Sequence, residues 1–251
     1  MHVAKLVWGQ HSIPKDKQRA WALGDLSVFL KSVDGEVWIA HVYGNDVESD
    51  KSASGLAWTR WAVKKEMESV QLVPAFPDRA VVVKTERPLR LQAGAQVRVL
   101  VNIPLWVVIK SSSKDGAILT EVPSVIPFST WFGSSTEGEL CYFLWSSFSR
   151  QLTAEADYSH CAICPLQIKN ASSAELLVKQ ICLRVKWLSL YEYQGRLWSS
   201  EMKISFRGLN DASQVSIVGG PPLETPSGEV INTSREFPKR GLFIPTFSEL
   251  S

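Results

Sequence analysis

The chain has 251 residues, 45% hydrophobic and 21% charged, with a formal net charge of +2. That length suits one large β domain or two small ones, and it can bury a core without a disulfide or metal scaffold. So mild a charge gives no strong nucleic-acid signal, and the most apolar stretch, 99–109, is broken by Asn102 and Pro104, short of the roughly 20 residues of a membrane-spanning helix.

The opening residues, Met1 to Trp8, lack the apolar run of a signal peptide. A cytoplasmic protein with reduced thiols and no transmembrane segment of its own is therefore expected. In that setting Asn170-Ala171-Ser172 and Asn232-Thr233-Ser234 carry no meaning as glycan acceptors.

In chain order, the first legible element is a hairpin around Asp34-Gly35, because a two-residue turn needs positive φ at both central positions. That turn places Leu30 opposite Ile39, Phe29 opposite Ala40, Lys31 opposite Trp38 and Val28 opposite His41. Both faces are partly apolar, which predicts a hairpin inside a sandwich or under a second layer. Residues 44–55 are rich in Asn, Asp, Ser and Lys and read as a loop. Residues 62–70 could hold a turn or two of helix, and 150–156 one more. Short runs at 56–63, 70–73, 80–84, 96–103, 105–109, 140–148 and 162–169 read as strands, with Asp115-Gly116 as a turn joining a strand that ends near Lys110 to one over 117–122. Prolines 74, 77, 88, 104, 123, 127 and 165 punctuate them, and proline marks strand ends, edges or bulges.

A longer hairpin is predicted over 183–206 with Gln194-Gly195 as its turn. It pairs Tyr191 with Trp198, Trp187 with Met202, Val185 with Ile204 and Leu183 with Phe206 on an oily face. Leu190 faces Ser199, Leu188 faces Glu201, Lys186 faces Lys203 and Arg184 faces Ser205 on the other. Two lysines opposite each other are mildly unfavourable unless an anion or acidic partner sits there. The strip Arg184, Lys186, Lys203 and Arg207 is thus a candidate partner surface; a solvated face is the commoner role of such charges. Residues 219–251 hold five of the thirteen prolines and four glycines, with Phe237, Leu242, Phe243, Ile244 and Phe247. That stretch is expected to pack as an extended arm on its own domain or on a neighbour, which makes Phe243 and Phe247 candidate contacts.

Signals for chemistry are sparse. The string His160-Cys161-Ala162-Ile163-Cys164 has the spacing of a zinc or thiol–disulfide pair, but it lacks a second such pair, and no βαβ context surrounds it. Two buried thiols in a core strand are the commoner outcome; Cys141 and Cys182 would complete a site only if their strands neighbour this one. Asp78-Arg79 could grip a carboxylate or phosphate, although a turn Asp with a salt-bridged Arg is commoner. Glu137 and Glu139 lie near Trp131, an arrangement open to glycan chemistry. No nucleophile elbow, phosphate-binding loop, zinc-protease helix or dinucleotide fingerprint is present. No catalytic residue, metal or cofactor is assigned; Asp78, Arg79, Trp131 and Glu139 form the possible ligand site.

Several strings together resemble a known family: Trp61-Ala62-Val63, Pro74-x-x-Pro77-Asp78-Arg79-x-Val81-Val82, Ile103-Pro104-Leu105-Trp106, Ser129-x-Trp131-Phe132-Gly133, Gly138-Glu139-Leu140-Cys141-Tyr142, Cys164-Pro165 and Leu197-Trp198. In order and spacing they resemble the prokaryotic domain of unknown function 432 family, up to about Phe206. The resemblance carries no catalytic residues. It implies genes placed beside those of small mechanosensitive-type channels, and hence a soluble accessory subunit peripheral to the inner membrane through its partner. The expected fold is all-β: one or two packed antiparallel β-sandwiches over 1–218, dividing near 125–160 if there are two, with little helix and the arm at 219–251. The expected function is a non-catalytic interaction protein that binds a membrane channel or self-assembles; the alternative is a glycan-binding or glycan-processing protein using Trp131 and nearby carboxylates.

Overall fold

The computed structural model describes residues 7–14, 17–44, 55–63, 67–112, 116–151, 159–208, 212–237 and 242–247. Among them twenty β-strands and no α-helix occur. The chain divides into two units, Met1–Ala75 with Pro104–Ile126, and Phe76–Ile103 with Pro127–Ser251. It passes between them three times, and Pro104 and Pro127 begin new segments at two of these passages.

The first unit is a β-sandwich of two four-stranded antiparallel sheets. One has the order β1 (Gly9–Ser12), β6 (Ser69–Ala75), β9 (Trp106–Ser111) and β10 (Ile118–Pro123); the other runs β2 (Arg19–Leu23), β3 (Leu26–Val33), β4 (Glu36–Tyr43) and β5 (Thr59–Ala62). The Asp34-Gly35 turn has φ of 51° and 77°, and its register is the expected one, Leu30 with Ile39 and Val28 with His41. Period-two alternation sends Leu26, Val28 and Leu30 inward, where they share a core with Val70, Leu72, Val107 and Ile109 of the other sheet. On the outer side of the same hairpin the Lys31 ammonium lies 4.8 Å from the Trp38 ring and 4.2 Å from Trp58. Of the helical turn expected over 62–70, Ala62 closes β5 and Ser69 and Val70 open β6, where Trp61 and Val70 join the sandwich core; residues 64–66 lie outside the described residues. Residues 45–54 of the expected loop, residues 152–156 of the second expected helical turn and Asp115 lie outside the described residues.

The second unit has two mixed sheets. The smaller has the order β11 (Phe128–Phe132), β12 (Glu139–Trp145), β7 (Val81–Leu91) and β14 (Leu176–Leu183). The larger has the order β19 (Glu229–Asn232), β15 (Leu190–Tyr193), β16 (Arg196–Ser199), β13 (Cys161–Asn170), β17 (Met202–Phe206), β18 (Ser213–Ile217) and β20 (Leu242–Ile244), and β8 (Gln96–Pro104) also pairs β13. The pairings of β12 with β7 and of β13 with both β16 and β17 are parallel. The sequence of β13 explains its place. Cys161 to Leu166 is buried at every position rather than at alternate ones, as in strands covered on both faces.

The hairpin expected over 183–206 is correct at its tip and wrong beyond it. Gln194 and Gly195 have φ of 51° and 77°, and Leu190 pairs Ser199, Tyr191 pairs Trp198 and Tyr193 pairs Arg196. Leu183, however, ends β14 and pairs Val81, residues Val185–Trp187 form a 3₁₀ turn, and Met202 to Phe206 align with Leu166 to Asn170. Leu183, Met202 and Ile204 are almost wholly buried there, whereas a two-stranded ribbon leaves one face open to water. Lys186 therefore does not face Lys203. The arm packs on its own unit: β19 pairs β15, β20 pairs β18, and Phe247 bridges Ile181.

Two polar devices tie this unit together. Asn170 is fully buried; its amide N–H groups donate to Leu91 O at 3.0 Å, Gln92 O at 3.2 Å and Ala174 O at 2.7 Å, while its Oδ1 accepts from the Ser172 hydroxyl at 2.7 Å. The Asn-Ala-Ser triplet is thus a structural knot. The Arg98 guanidinium grips Glu224 at 2.9 and 2.8 Å and also the buried Glu201. The hydrogen bond from Arg98 holds the Glu224 carboxyl below its ordinary value of 4.5.

Two outcomes follow. Asn170→Ala removes the buried amide that bonds the Leu91, Gln92 and Ala174 carbonyls and lowers unfolding free energy by about 2 kcal/mol, read by urea denaturation. Glu224 has a depressed folded pKa, so its contribution is complete above the ordinary value of 4.5 and is lost as pH falls through the folded value. Glu224→Gln flattens that part of the acid-stability profile; an unchanged slope would remove this role.

Candidate functional site

Strand β7 lies between β12 and β14. Residues 139, 141 and 143 of β12 share one face by strand alternation, as do 182 and 184 at the end of β14. Across β7 the Cys141 and Cys182 sulfurs come to 3.9 Å. Ala80, Val82 and Phe132 wall them, with Phe143 packed alongside. The Arg184 side chain, 11% exposed, donates to Cys182 Sγ and pairs with the Glu139 carboxylate, 46% exposed, and it also donates to Pro245 O. Glu139, Cys141 and Cys182 offer three ligand atoms within 4.8 Å of one another, a donor set able to hold one metal ion.

The two thiols behave as a pair. A hydrogen bond from the Cys182 thiol favours ionised Cys141 and lowers its pKa against the opposing effects of burial and Glu139, with Arg184 assisting. The same hydrogen bond and burial hold the proton on Cys182, well above the ordinary thiol value. The pair therefore gives up one proton readily and resists losing the second.

Tyr142 points to the other face of β12. Its hydroxyl donates to Asp78 Oδ1 at 2.8 Å, and the Arg79 guanidinium lies 5.4 Å from its ring centre. Burial, with Asp78 second, pushes the phenol up to about 12. Arg235 donates from Nε to Phe76 O at 2.6 Å beside this cluster. Asp78 and Arg79 thus meet Tyr142, not Glu139. Trp131 pairs with Leu140, while Phe132 pairs with Glu139, so Trp131 and Glu139 point to opposite faces. The Trp131 N–H donates to Ser134 O at 2.8 Å, and its ring covers Gly138, where an added Cβ would lie 2.2 Å from Nε1. That glycine is required by close approach of the ring.

The basic strip is dispersed. Arg184 serves Cys182 and Glu139, Lys186 is paired with Glu236 at 2.6 Å, Lys203 projects from β17 opposite Ser216, and Arg207 lies 5.5 Å from the Phe243 ring. Phe243 is half exposed, while Phe247 stacks edge-on against Phe206 at 5.4 Å. Cys161 and Cys164 are buried in β13, and burial pushes Cys164 up to about 12; Cys141 and Cys182 meet each other instead of completing a site with that string.

Sequence reasoning missed a second feature. In the β11–β12 hairpin Phe128 is 72%, Trp131 51%, Leu140 47% and Trp145 57% exposed. Strand β11 is also the edge of its sheet among the described residues. Apolar residues on both faces of a strand read as burial, so nothing in the pattern announced exposure.

The family model described as Protein of unknown function (DUF432) matches residues 7–250, and the chain belongs to that family. No curated protein and no solved structure matches it.

Tyr142→Phe removes the hydroxyl that Asp78 holds. The raised phenol stabilises the fold below its ordinary value of 10.0, and this is lost as pH rises through about 12. An ultraviolet phenolate titration of the folded protein should lose its latest component in the variant. An identical curve would show that Tyr142 is not held as described.

Proposed function

We propose that this member of the DUF432 family is a non-catalytic interaction protein that docks a protein partner along the β11–β12 hairpin, as the accessory subunit of a membrane channel. The observation that supports this reading is exposed Phe128 and Trp131 on the edge strand β11, with exposed Leu140 and Trp145 on its neighbour β12. Edge strands of proteins that act alone are blunted by lysine, proline or bulges. The β11 sequence Phe-Ser-Thr-Trp-Phe has no charge and no proline, and its pairing with β12 runs without a bulge. Such an edge suits an added strand, with backbone hydrogen bonds giving affinity and the aromatic side chains giving specificity. The channel as partner comes from the gene neighbourhood that the family resemblance implies.

The glycan alternative gains nothing from this geometry, because Glu139 is paired with Arg184 on the face opposite Trp131.

Phe128→Lys places a charge at the exposed edge without touching the core. In gentle detergent extracts of native membranes the wild-type chain should migrate in an assembly that contains a channel subunit. The variant should weaken that assembly at least tenfold, about 1.4 kcal/mol or more, while Lys203→Glu leaves it intact. A wild-type chain that runs only as monomer in every fraction would defeat the reading.

A further inference from the structure

We propose that Cys141, Cys182 and Glu139 form a zinc site, with Arg184 holding its ligands in place. The spacing supports an ion more than a disulfide. Backbones of β12 and β14 are separated by the whole of β7, two strand spacings or about 9.5 Å, whereas a disulfide bridges Cα atoms within about 7 Å. The thiols nevertheless reach 3.9 Å of each other over Ala80 and Val82. Two thiolates bound to one tetrahedral zinc at about 2.3 Å each stand about 3.8 Å apart. The carboxylate of Glu139 completes a three-ligand set within 4.8 Å, the ligand number of a site that keeps a fourth, solvent-facing position.

Charge and access agree with this assignment. Two thiolates and a carboxylate bring three negative charges; the Arg184 guanidinium offsets one, and a divalent cation offsets the other two. Arg184 already touches Cys182 Sγ and the Glu139 carboxylate, the place of an outer residue that orients metal ligands. Glu139 has a second oxygen for the ion while the first stays with Arg184. Both sulfurs are buried and Glu139 is not, so the ion enters from the Glu139 side. On binding, two S–H bonds are replaced by two Zn–S bonds and the protons pass to the buffer; no oxidant takes part. Zinc is borderline-soft and carries no redox demand, which suits a mixed sulfur and carboxylate set. The bound ion would clamp β12 to β14 across β7, directly behind the docking hairpin.

The experiment uses the full, reduced, metal-free chain under anaerobic conditions, titrated with cobalt(II) as a spectroscopic stand-in and then with zinc. The expected result is one equivalent of cobalt with thiolate-to-cobalt charge-transfer absorption and the visible bands of a tetrahedral ion, all displaced by zinc. Cys141→Ser and Cys182→Ser each abolish the charge-transfer band, Cys164→Ala retains it, and the exposed Glu139→Gln weakens binding at least tenfold without disturbing the fold. Absence of the band in the wild-type chain at stoichiometric cobalt would overturn the proposal, whatever the variants do. So would a band that survives Cys141→Ser or Cys182→Ser, one lost in Cys164→Ala, or unchanged affinity in Glu139→Gln. The docking reading is untouched by failure here, since it rests on the exposed aromatic side chains at the β11 edge and is read by assembly size.

Discussion

The pairing of β7 on both its sides governs the second unit. Val81, Val82 and Val83 align with Tyr142 to Leu144 on one flank and with Leu183 to Ile181 on the other. Once β14 is committed to β7, the chain beyond Leu183 cannot continue the ribbon expected with Met202 to Phe206. It turns through Val185–Trp187 instead, and β17 is released to lie beside β13. The same pairing aims Cys141 and Cys182 at each other from opposite sides of β7. It also makes β12 an interior strand, which leaves β11 at the edge.

Hydrophobic burial accounts for this choice. Val81, Val82 and Val83 of β7 and Ile181, Cys182 and Leu183 of β14 are all nearly inaccessible, and each such side chain contributes about 1.5–3 kcal/mol when taken from water. A free two-stranded ribbon would have left one face of those residues wet. The polar devices then fix what burial alone leaves loose. Asn170 terminates β13 by bonding to the 91–92 and 174 backbones, and Arg98 links β8 to Glu201 and to Glu224 ahead of β19.

Local chemistry was readable in the sequence, and long-range pairing was not. The Asp34-Gly35 and Gln194-Gly195 turns demand positive φ at both positions, so their immediate registers were visible in the letters. The all-β class followed from short runs, turn signals and prolines. Pairing beyond a turn depends on which distant strand offers more burial, and period-two alternation in 183–206 satisfied two competing partners equally well. For the same reason Lys186 opposite Lys203 was an artefact of a register that the fold does not use. The thiol cluster was invisible because Cys141 and Cys182 lie 41 residues apart and meet only through β7. Asp78 and Arg79 stand out in the sequence as polar residues between two strand runs, but their contact, Tyr142, depends on the β7–β12 alignment.

What this fold offers is a sheet with two different outlooks. Its inner rows gather two thiols, a carboxylate and a guanidinium around β7, while its edge presents aromatic side chains with no charge to keep other strands away. Amide hydrogen exchange, compared between the isolated chain and the chain held in native membrane extracts, tests the docking role of that edge most directly. Slowed exchange confined to residues 128–145, with the 26–43 hairpin of the first unit unchanged, is the predicted result. Unchanged exchange at 128–145, or protection appearing instead at 202–206 and 242–247, would contradict it.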